Sequence, residues 1–442
     1  MVVVSVKRKT GSVNSKRFCK WQTANGMFSA YGLKLMAIKV LIITDRFYPE
    51  EFIINDLACE WAARGISVDV LTQAPSYPFG KIFPGYSNRF FSSETWKSVN
   101  ISRFFTVTGY RESLFLKLLC YFNFAFVASI IALFIGRRYD RVFVYQTGPV
   151  TQALPAVLIR KIYGKSFTMW VQDVWPDMAY AYGFKKTWLM KTFLDKLVGF
   201  IYRNTDNIAV SCAGFAKSIE PYVPGKIMPH FPNWPTVTPE QTGGVGVKLS
   251  DKFNFTFAGN IGKFQNLENV IRGFGLAFAE NPDIQLNIVG DGSDRDRLKK
   301  IVFRYAIGGV VFWGRKKQEE MPGYFRASDV MVISLCDQPG VGLTVPAKFQ
   351  AYLAFAKPVF CVMNGEVKRV VEEYNTGLCA PPDSPEHIKA GFLKFYALKD
   401  SGLETFSANS RLLLENVYNR EKIIEGITGV VVRGLGREKL LP

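Results

Sequence analysis

The stretch FNFTFAGNIGKFQNLENVIRGF, Phe253–Phe274, decides how the chain reads. Its first six residues alternate apolar and polar side chains, the period of a β-strand. Beyond them Leu267, Val270, Ile271, Phe274 and Phe278 recur at the spacing of a helix with one apolar stripe. Between strand and helix stand Gly259, Asn260, Ile261, Gly262 and Lys263, a tight turn that carries one cation. Such a turn offers backbone N–H groups and the positive end of a helix to an anion, and glycine lets a phosphate come close. Turn geometry alone also asks for glycine. The rest of the chain has to separate the two readings.

The same order recurs at the head of the chain. IKVLIIT (38–44) reads as a strand and DRFYPEEF (45–52) as a loop. A helix follows with Ile54, Leu57, Ala58, Trp61 and Ala62 on one face, ended by Gly65, and then the strand SVDVLT. Strands DRVFVYQ, KSFTMWVQD and NIAVSC continue the first half; IQLNIVG, GVVFWG, DVMVISL and KPVFCV continue the second. Two β-loop-α-β units, each heading a strand–helix alternation, predict an α/β chain of two doubly wound, Rossmann-like domains facing a cleft. The first domain is expected over 38–228 and the second over 252–400. The segment 229–251, rich in Pro, Gly and Thr, reads as a hinge between them. A C-terminal helix and tail fill 401–442, with a polar helix expected around Glu404–Glu425. Residues 1–37 are basic and lack both a core-forming pattern and a signal-peptide core. They read as a disordered tail, or as an over-extended start ahead of Met36.

Composition narrows the function. Against 37 Asp and Glu stand 55 Lys and Arg, a formal charge of +18, which favours an anionic partner. Zinc-finger spacing, a basic zipper and an RNA-binding strand pattern are all missing, so nucleic acid is not expected. The seven cysteines form no CxxC, and the only histidines are His230 and His387, so no metal centre is expected. LLCYFNFAFVASIIALFI (118–135) just reaches membrane-spanning length and is flanked by Lys117, Arg137 and Arg138. It stands where the first domain needs a helix, so the expectation is a helix partly packed on the sheet and partly set in an anionic bilayer surface, with a wholly buried helix and a membrane-spanning one as the alternatives.

Eight segments in order carry a resemblance: VLTQAPSYPFGKIFPGY, VQDVWPD, FPNWP, FAGNIGKFQNLENVI, IVGDGSDRDRL, VFWGR, ASDVMVISL and VPAKFQAYLAFAKPV. Together, from about Lys39 to about Lys389, they resemble the bacterial family 4 glycosyltransferases of the GT-B fold, most closely those that build surface polysaccharides such as O-antigen. The resemblance implies retaining transfer from a nucleoside-diphosphate sugar, with no cofactor and no required metal. By implication the donor lies on the second domain and a lipid-linked saccharide acceptor on the first, with the enzyme cytoplasmic and peripheral on the inner face of the cell membrane. Gly259, Asn260, Gly262 and Gln265 would face the donor's diphosphate, together with Gly290, Gly292, Leu343 and Gln350. Where many members carry an arginine and a lysine, this chain has Asn260 and Gln265. That leaves Lys263 as the cation of the loop and Lys348 as a second. The glutamate that binds the donor ribose in many members is Ala351 here. On the acceptor side Asp173 would orient or deprotonate the acceptor hydroxyl, near Asp177 and the loop residues Tyr48, Pro49 and Glu50. Asp294-Arg295-Asp296 spells the DxD that binds a metal–diphosphate in other glycosyltransferases, but it opens a helix, where acids suit the dipole. Two alternatives stand beside this: a nucleotide-sugar epimerase on the same fold, and a non-catalytic sugar-binding membrane subunit.

Overall fold

The computed structural model describes residues 38–181, 186–241, 246–338 and 341–435. The basic extension and the start at Met36 lie outside these residues. The first sheet holds β1 (Lys39–Ile43), β2 (Ser67–Gln73), β3 (Phe91–Trp96), β4 (Val99–Phe104), β5 (Arg141–Gln146), β6 (Phe167–Val171) and β7 (Asn207–Val210). Their order is β3-β4-β2-β1-β5-β6-β7, parallel throughout except for the hairpin β3–β4. The second holds β8 (Phe253–Ala258), β9 (Ile284–Val289), β10 (Val310–Gly314), β11 (Val330–Ser334), β12 (Val359–Val362) and β13 (Gly377–Cys379). These lie in the order β10-β9-β8-β11-β12-β13, all parallel. Two doubly wound domains are present, as the repeated pattern predicts.

In both sheets the winding reverses beside the first strand: β1 lies between β2 and β5, and β8 between β9 and β11. Ligands of open α/β sheets bind at such a switch point, beyond the carboxyl ends of the strands. The loops after β1 and β8 occupy these two places. The alternation in FNFTFA does not mark a wet face, because helices cover both sides of the sheet and Asn254 and Thr256 are buried. Their polar groups are satisfied internally: Asn287 Nδ2 donates to Asn254 Oδ1 (3.0 Å) and Ser328 Oγ to Thr256 Oγ1 (2.6 Å).

The single polar helix expected around Glu404–Glu425 is two helices, Leu403–Asn416 and Arg420–Arg433. Tyr418 is buried at the break, and the Asn419 side chain caps the second helix by accepting from Lys422 N (3.1 Å). That helix returns to the first domain. Ile423, Ile424 and Ile427 join the core of Ile54, Leu57 and Trp61, and Trp61 Nε1 donates to Thr428 Oγ1 (2.8 Å). Arg420 donates to both oxygens of Asp56 (2.7 and 2.8 Å), which also accepts from Trp234 Nε1 (2.8 Å).

The helix Leu114–Ile135 includes the apolar stretch and is long and apolar enough to cross a membrane. Its inner face (Cys120, Phe124, Ala128, Ala132) is buried against the sheet and the helix Leu154–Tyr163. Small residues let the two helices approach: a Cβ on Gly136 would stand 2.7 Å from Ile159. The outer face is aromatic and exposed, at Phe115, Phe122, Phe126 and Phe134.

Candidate active site

In the second domain two glycine loops lie against each other at the carboxyl edge. Gly259 N donates to Val289 O and Ile261 N to Asp291 O (both 2.9 Å), and Asp294 N donates back to Ile261 O (3.0 Å). A Cβ on Gly290 would stand 1.9 Å from Gly259 O, and one on Gly292 would stand 2.3 Å from Ile261 O. These two glycines are therefore demanded by the meeting of the loops. Gly259 has a different reason. Its φ is +137°, and a Cβ there would press within 3.2 Å of Lys348 Cε and Nζ.

Lys348 comes from the helix Ala347–Ala354. Its ammonium donates to Gln265 Oε1 (2.6 Å) and stands 3.8 Å from the centroid of the Phe257 ring. Both partners are neutral, and burial pushes the lysine down to about 7. Gln265 stands where the resemblance leads one to expect a lysine, and Lys348 delivers a cation to that place from another element. Lys263 is exposed, as are Asn260 and Gly259. The loop does not run straight into the helix as its pattern suggests. Lys263–Gln265 forms a 3₁₀ turn, Asn266 takes the left-handed region (φ 53°), and the helix starts at Leu267.

Gln350 is buried, its amide lying 3.0 Å from the carbonyls of Pro346 and Ala347, so it serves its own helix start. Ala351 is buried in the core. Leu343 packs across to the first domain, with its Cδ2 3.4 Å from where a Cβ on Gly214 would be. Nearby, Val345 N donates to Cys212 Sγ (3.3 Å). These contacts bring the carboxyl edges of the two sheets together after β7 and β11. Asp294 is bound by Arg297 (2.7 Å) and Asp296 by Arg295 (3.0 Å). Among the described residues no group of three His, Cys, Asp or Glu side chains converges as a metal site would need.

In the first domain the loop after β1 turns its charges inward. Glu50 Oε1 accepts from the backbone N–H groups of Ser76 (2.8 Å) and Tyr77 (2.6 Å) and lies 3.7 Å from Arg46 Nη1. Burial raises the Glu50 carboxyl above its ordinary range, against the pull of Arg46 and the two amides. Glu50 thus ties two loops together and is used up. The Tyr48 ring stacks on Trp96 at 4.2 Å, and Pro49 follows it across a cis peptide. Asp177 begins a short helix, Asp177–Ala181. Asp173, two residues past β6, is partly buried, and burial, with Asp45 second, pushes its carboxyl up to about 7. His230 Nε2 lies 3.2 Å from Ser211 O, and burial lowers its pKa.

Sequence reasoning passed over Asp45. Its Oδ1 accepts from Thr147 Oγ1 (2.8 Å) and Gln152 Nε2 (2.7 Å), both beyond β5, and its Oδ2 lies 3.4 Å from Arg46 Nε. The available signal was an acid placed directly after the first strand of a doubly wound sheet.

Residues 245–412 match the family described as glycosyl transferases group 1. The probable glycosyltransferase WbjE of Pseudomonas aeruginosa is 26% identical over 276 residues, spanning 59% of this chain and 67% of that protein. The putative colanic acid biosynthesis glycosyl transferase WcaI of Escherichia coli is 24% identical over 353 residues, spanning 75% of this chain and 85% of WcaI. Among solved structures, Anabaena HepE in complex with UDP superposes with a TM-score of 0.62 at 12% identity, over 89% of this chain and 99% of that one.

Proposed function

We propose that this glycosyltransferase, whose residues 245–412 match the group 1 glycosyl transferases on a two-domain GT-B fold, carries out retaining transfer from a nucleoside-diphosphate sugar to a lipid-linked saccharide in surface polysaccharide biosynthesis. The observation that carries this reading is Lys348, an ammonium with neutral partners, held where the loop after β8 meets the helix Ala347–Ala354. The UDP bound by the similarly folded HepE supports a nucleotide donor, and the name of WcaI supports a polysaccharide product.

In the proposed step the acceptor oxygen bonds the anomeric carbon on the face from which the diphosphate departs. The bond from that carbon to the diphosphate oxygen breaks with its electron pair, and the acceptor proton passes to a diphosphate oxygen. Negative charge grows on the diphosphate, and Lys348 neutralises it in a site of lowered dielectric. One such donor is worth on the order of 3 kcal/mol at the transition state.

The membrane role follows from one helical layer. The helices Leu114–Ile135, Leu154–Tyr163 and Trp188–Arg203 share one core on the same face of the first sheet. Their outer sides carry Phe122, Phe126, Phe134, Trp188, Leu189 and Phe193 in the open. Arg137, Arg138, Lys161, Lys186 and Lys196 accompany them. An apolar face with a basic rim suits peripheral docking on anionic lipid at the inner face of the cell membrane.

The test is an assay of UDP-, GDP- and dTDP-sugars with a polyprenyl-diphosphate-linked saccharide in the presence of EDTA. A new glycosidic bond with the donor's anomeric configuration is expected. An isomerised sugar nucleotide with no new bond would make the enzyme an epimerase instead, and activity restored only by manganese or magnesium would return the DxD sequence to the site.

A further inference from the structure

The acceptor half of the site is the less explained part, and the inference here rests on the glycosyl transfer proposed above. Asp45 lies at the carboxyl end of β1, at the switch point of the first sheet. Its two oxygens are treated differently. Oδ1 is filled by Thr147 Oγ1 and Gln152 Nε2. Oδ2 has Arg46 Nε at 3.4 Å, a long contact, and otherwise faces Gly148. A Cβ placed on Gly148 would stand 3.3 Å from Oδ2, and within 4 Å it would meet no heavy atom outside Asp45 and its own chain neighbours. Space therefore lies open beside Oδ2, and a side chain at 148 would occupy it.

A small pocket adjoins this place. Asp45, Gln73 and Gln152 make one wall, and Tyr121 and Phe124 of the helix Leu114–Ile135 make another. The polar wall is held rigid: Gln73 Nε2 donates to Asp45 O (3.4 Å), and Thr106 Oγ1 donates to Gln73 Oε1 (2.9 Å). The apolar wall belongs to the same helix that turns Phe122 and Phe126 outward. One helix thus lines the pocket on its inner side and exposes aromatic rings on its outer side.

We propose that Asp45 Oδ2, reached through the gap at Gly148, receives the attacking hydroxyl of the acceptor, and that the anchor of an amphipathic acceptor runs along the helix Leu114–Ile135. In the bound state Asp45 Oδ2 accepts the hydroxyl's hydrogen bond, which turns a lone pair towards the anomeric carbon. As the bond to the diphosphate breaks, that proton leaves Asp45 for the departing diphosphate oxygen, and the carboxylate's negative charge faces the positive charge that develops on the sugar. Thr147 and Gln152 are positioning residues, since they hold the carboxylate without reaching the acceptor. Glu50 is excluded from this role by the two backbone amides and the arginine it already serves.

Two substitutions in the full chain test the proposal. Asp45→Asn keeps the size and an acceptor atom for Thr147 and Gln152, but removes the charge. Gly148→Ala keeps the backbone hydrogen bonds of residue 148 and sets a methyl 3.3 Å from Oδ2, so the carboxylate gives by about a few tenths of an ångström and the gap is filled. Each should lower kcat/KM for a polyprenyl-diphosphate-linked saccharide at least thirtyfold. UDP affinity by calorimetry, or GDP affinity if the parent uses a GDP-sugar, should stay within threefold, and the melting temperature of Gly148→Ala should match the parent. If Gly148→Ala transfers within threefold of the parent, the proposal is overturned, whatever Asp45→Asn does. An Asp45→Asn chain that fails to fold leaves Gly148→Ala to decide alone. If the parent itself forms no glycosidic bond with any donor of the panel, the underlying reading of the enzyme fails, a result separate from either variant.

Discussion

At the scale of single residues, the cation held against the loop after β8 is a different lysine from the one the local sequence suggests. In sequence Lys263 stands inside the glycine loop and looks like the natural diphosphate ligand. In the fold Lys263 is exposed, and Lys348 reaches Gln265 from a different helix. Lys348→Met should therefore lower turnover about a hundredfold, the loss expected for one transition-state hydrogen-bond donor. Lys263→Ala should cost about tenfold or less. Equal losses in steady-state kinetics would mean that the exposed lysine swings onto the diphosphate. The same lysine predicts a pH dependence. Its ordinary pKa of 10.5 is pushed down to about 7 by burial, so at pH 8 the free enzyme holds it mostly neutral. A diphosphate favours the ammonium, so binding UDP above pH 7 takes up a proton and affinity falls as pH rises. Below pH 7 the lysine is already charged and uptake vanishes. UDP titrations at pH 8 in buffers of different ionisation enthalpy should show this uptake in the parent and not in Lys348→Met.

At the scale of elements, the helix Leu114–Ile135 has one buried side and one exposed aromatic side. Phe124, Ala128 and Ala132 bury one side, while Phe122 and Phe134 on the other remain 64% and 77% exposed. A helix wholly in a core would be apolar all round with both sides covered, and a surface helix in water would carry charges on its outer side. Aromatic rings on the outer side match an interfacial helix. Phe122→Asp with Phe126→Asp should abolish sedimentation with vesicles containing phosphatidylglycerol while leaving the melting temperature nearly unchanged, because both rings lie outside the core. Undiminished sedimentation would remove this helix from the docking face. The glycine loops make the opposite point. Gly290 and Gly292 look like phosphate-binding glycines, yet the tight requirement on them comes from the carbonyls of Gly259 and Ile261.

At the scale of the molecule, the helix Arg420–Arg433 ties the second domain back to the first. Arg420–Arg433 follows the second domain in sequence but buries Ile423, Ile424 and Ile427 in the core of the first. Each of these contributes on the order of 2 kcal/mol by burial. A charge at Ile424, fully buried, has no partner, so Ile424→Asp should lower the melting temperature by about 10 °C or more and separate the melting of the two domains. A single unchanged transition in calorimetry would show that this helix contributes little. Cys212 to Val345 and Leu343 against Gly214 supply the other junction, where the two carboxyl edges meet.

The sequence alone determined the two doubly wound domains, because the strand and helix periods are local and repeat in the same order. Its charge balance raised the expectation of an anionic partner, and the glycine loop after β8 the expectation of a diphosphate beside it. Its local patterns could not reach the pairings that depend on distant segments. Lys348 and Gln265 meet across 83 positions, and Asp45 and Gln152 across 107. Nothing in local spacing marks either pair. The C-terminal helix reads as polar because only one of its sides is apolar, and which domain receives that side is settled by the core of Ile54, Leu57 and Trp61 that it joins. The inward turn of Glu50 has the same origin: a carboxylate beside Tyr48 and Pro49 looks available until the Ser76 and Tyr77 amides, 26 and 27 residues away, fold onto it. Periodicity is a property of neighbours along the chain, whereas a site is a property of neighbours in space.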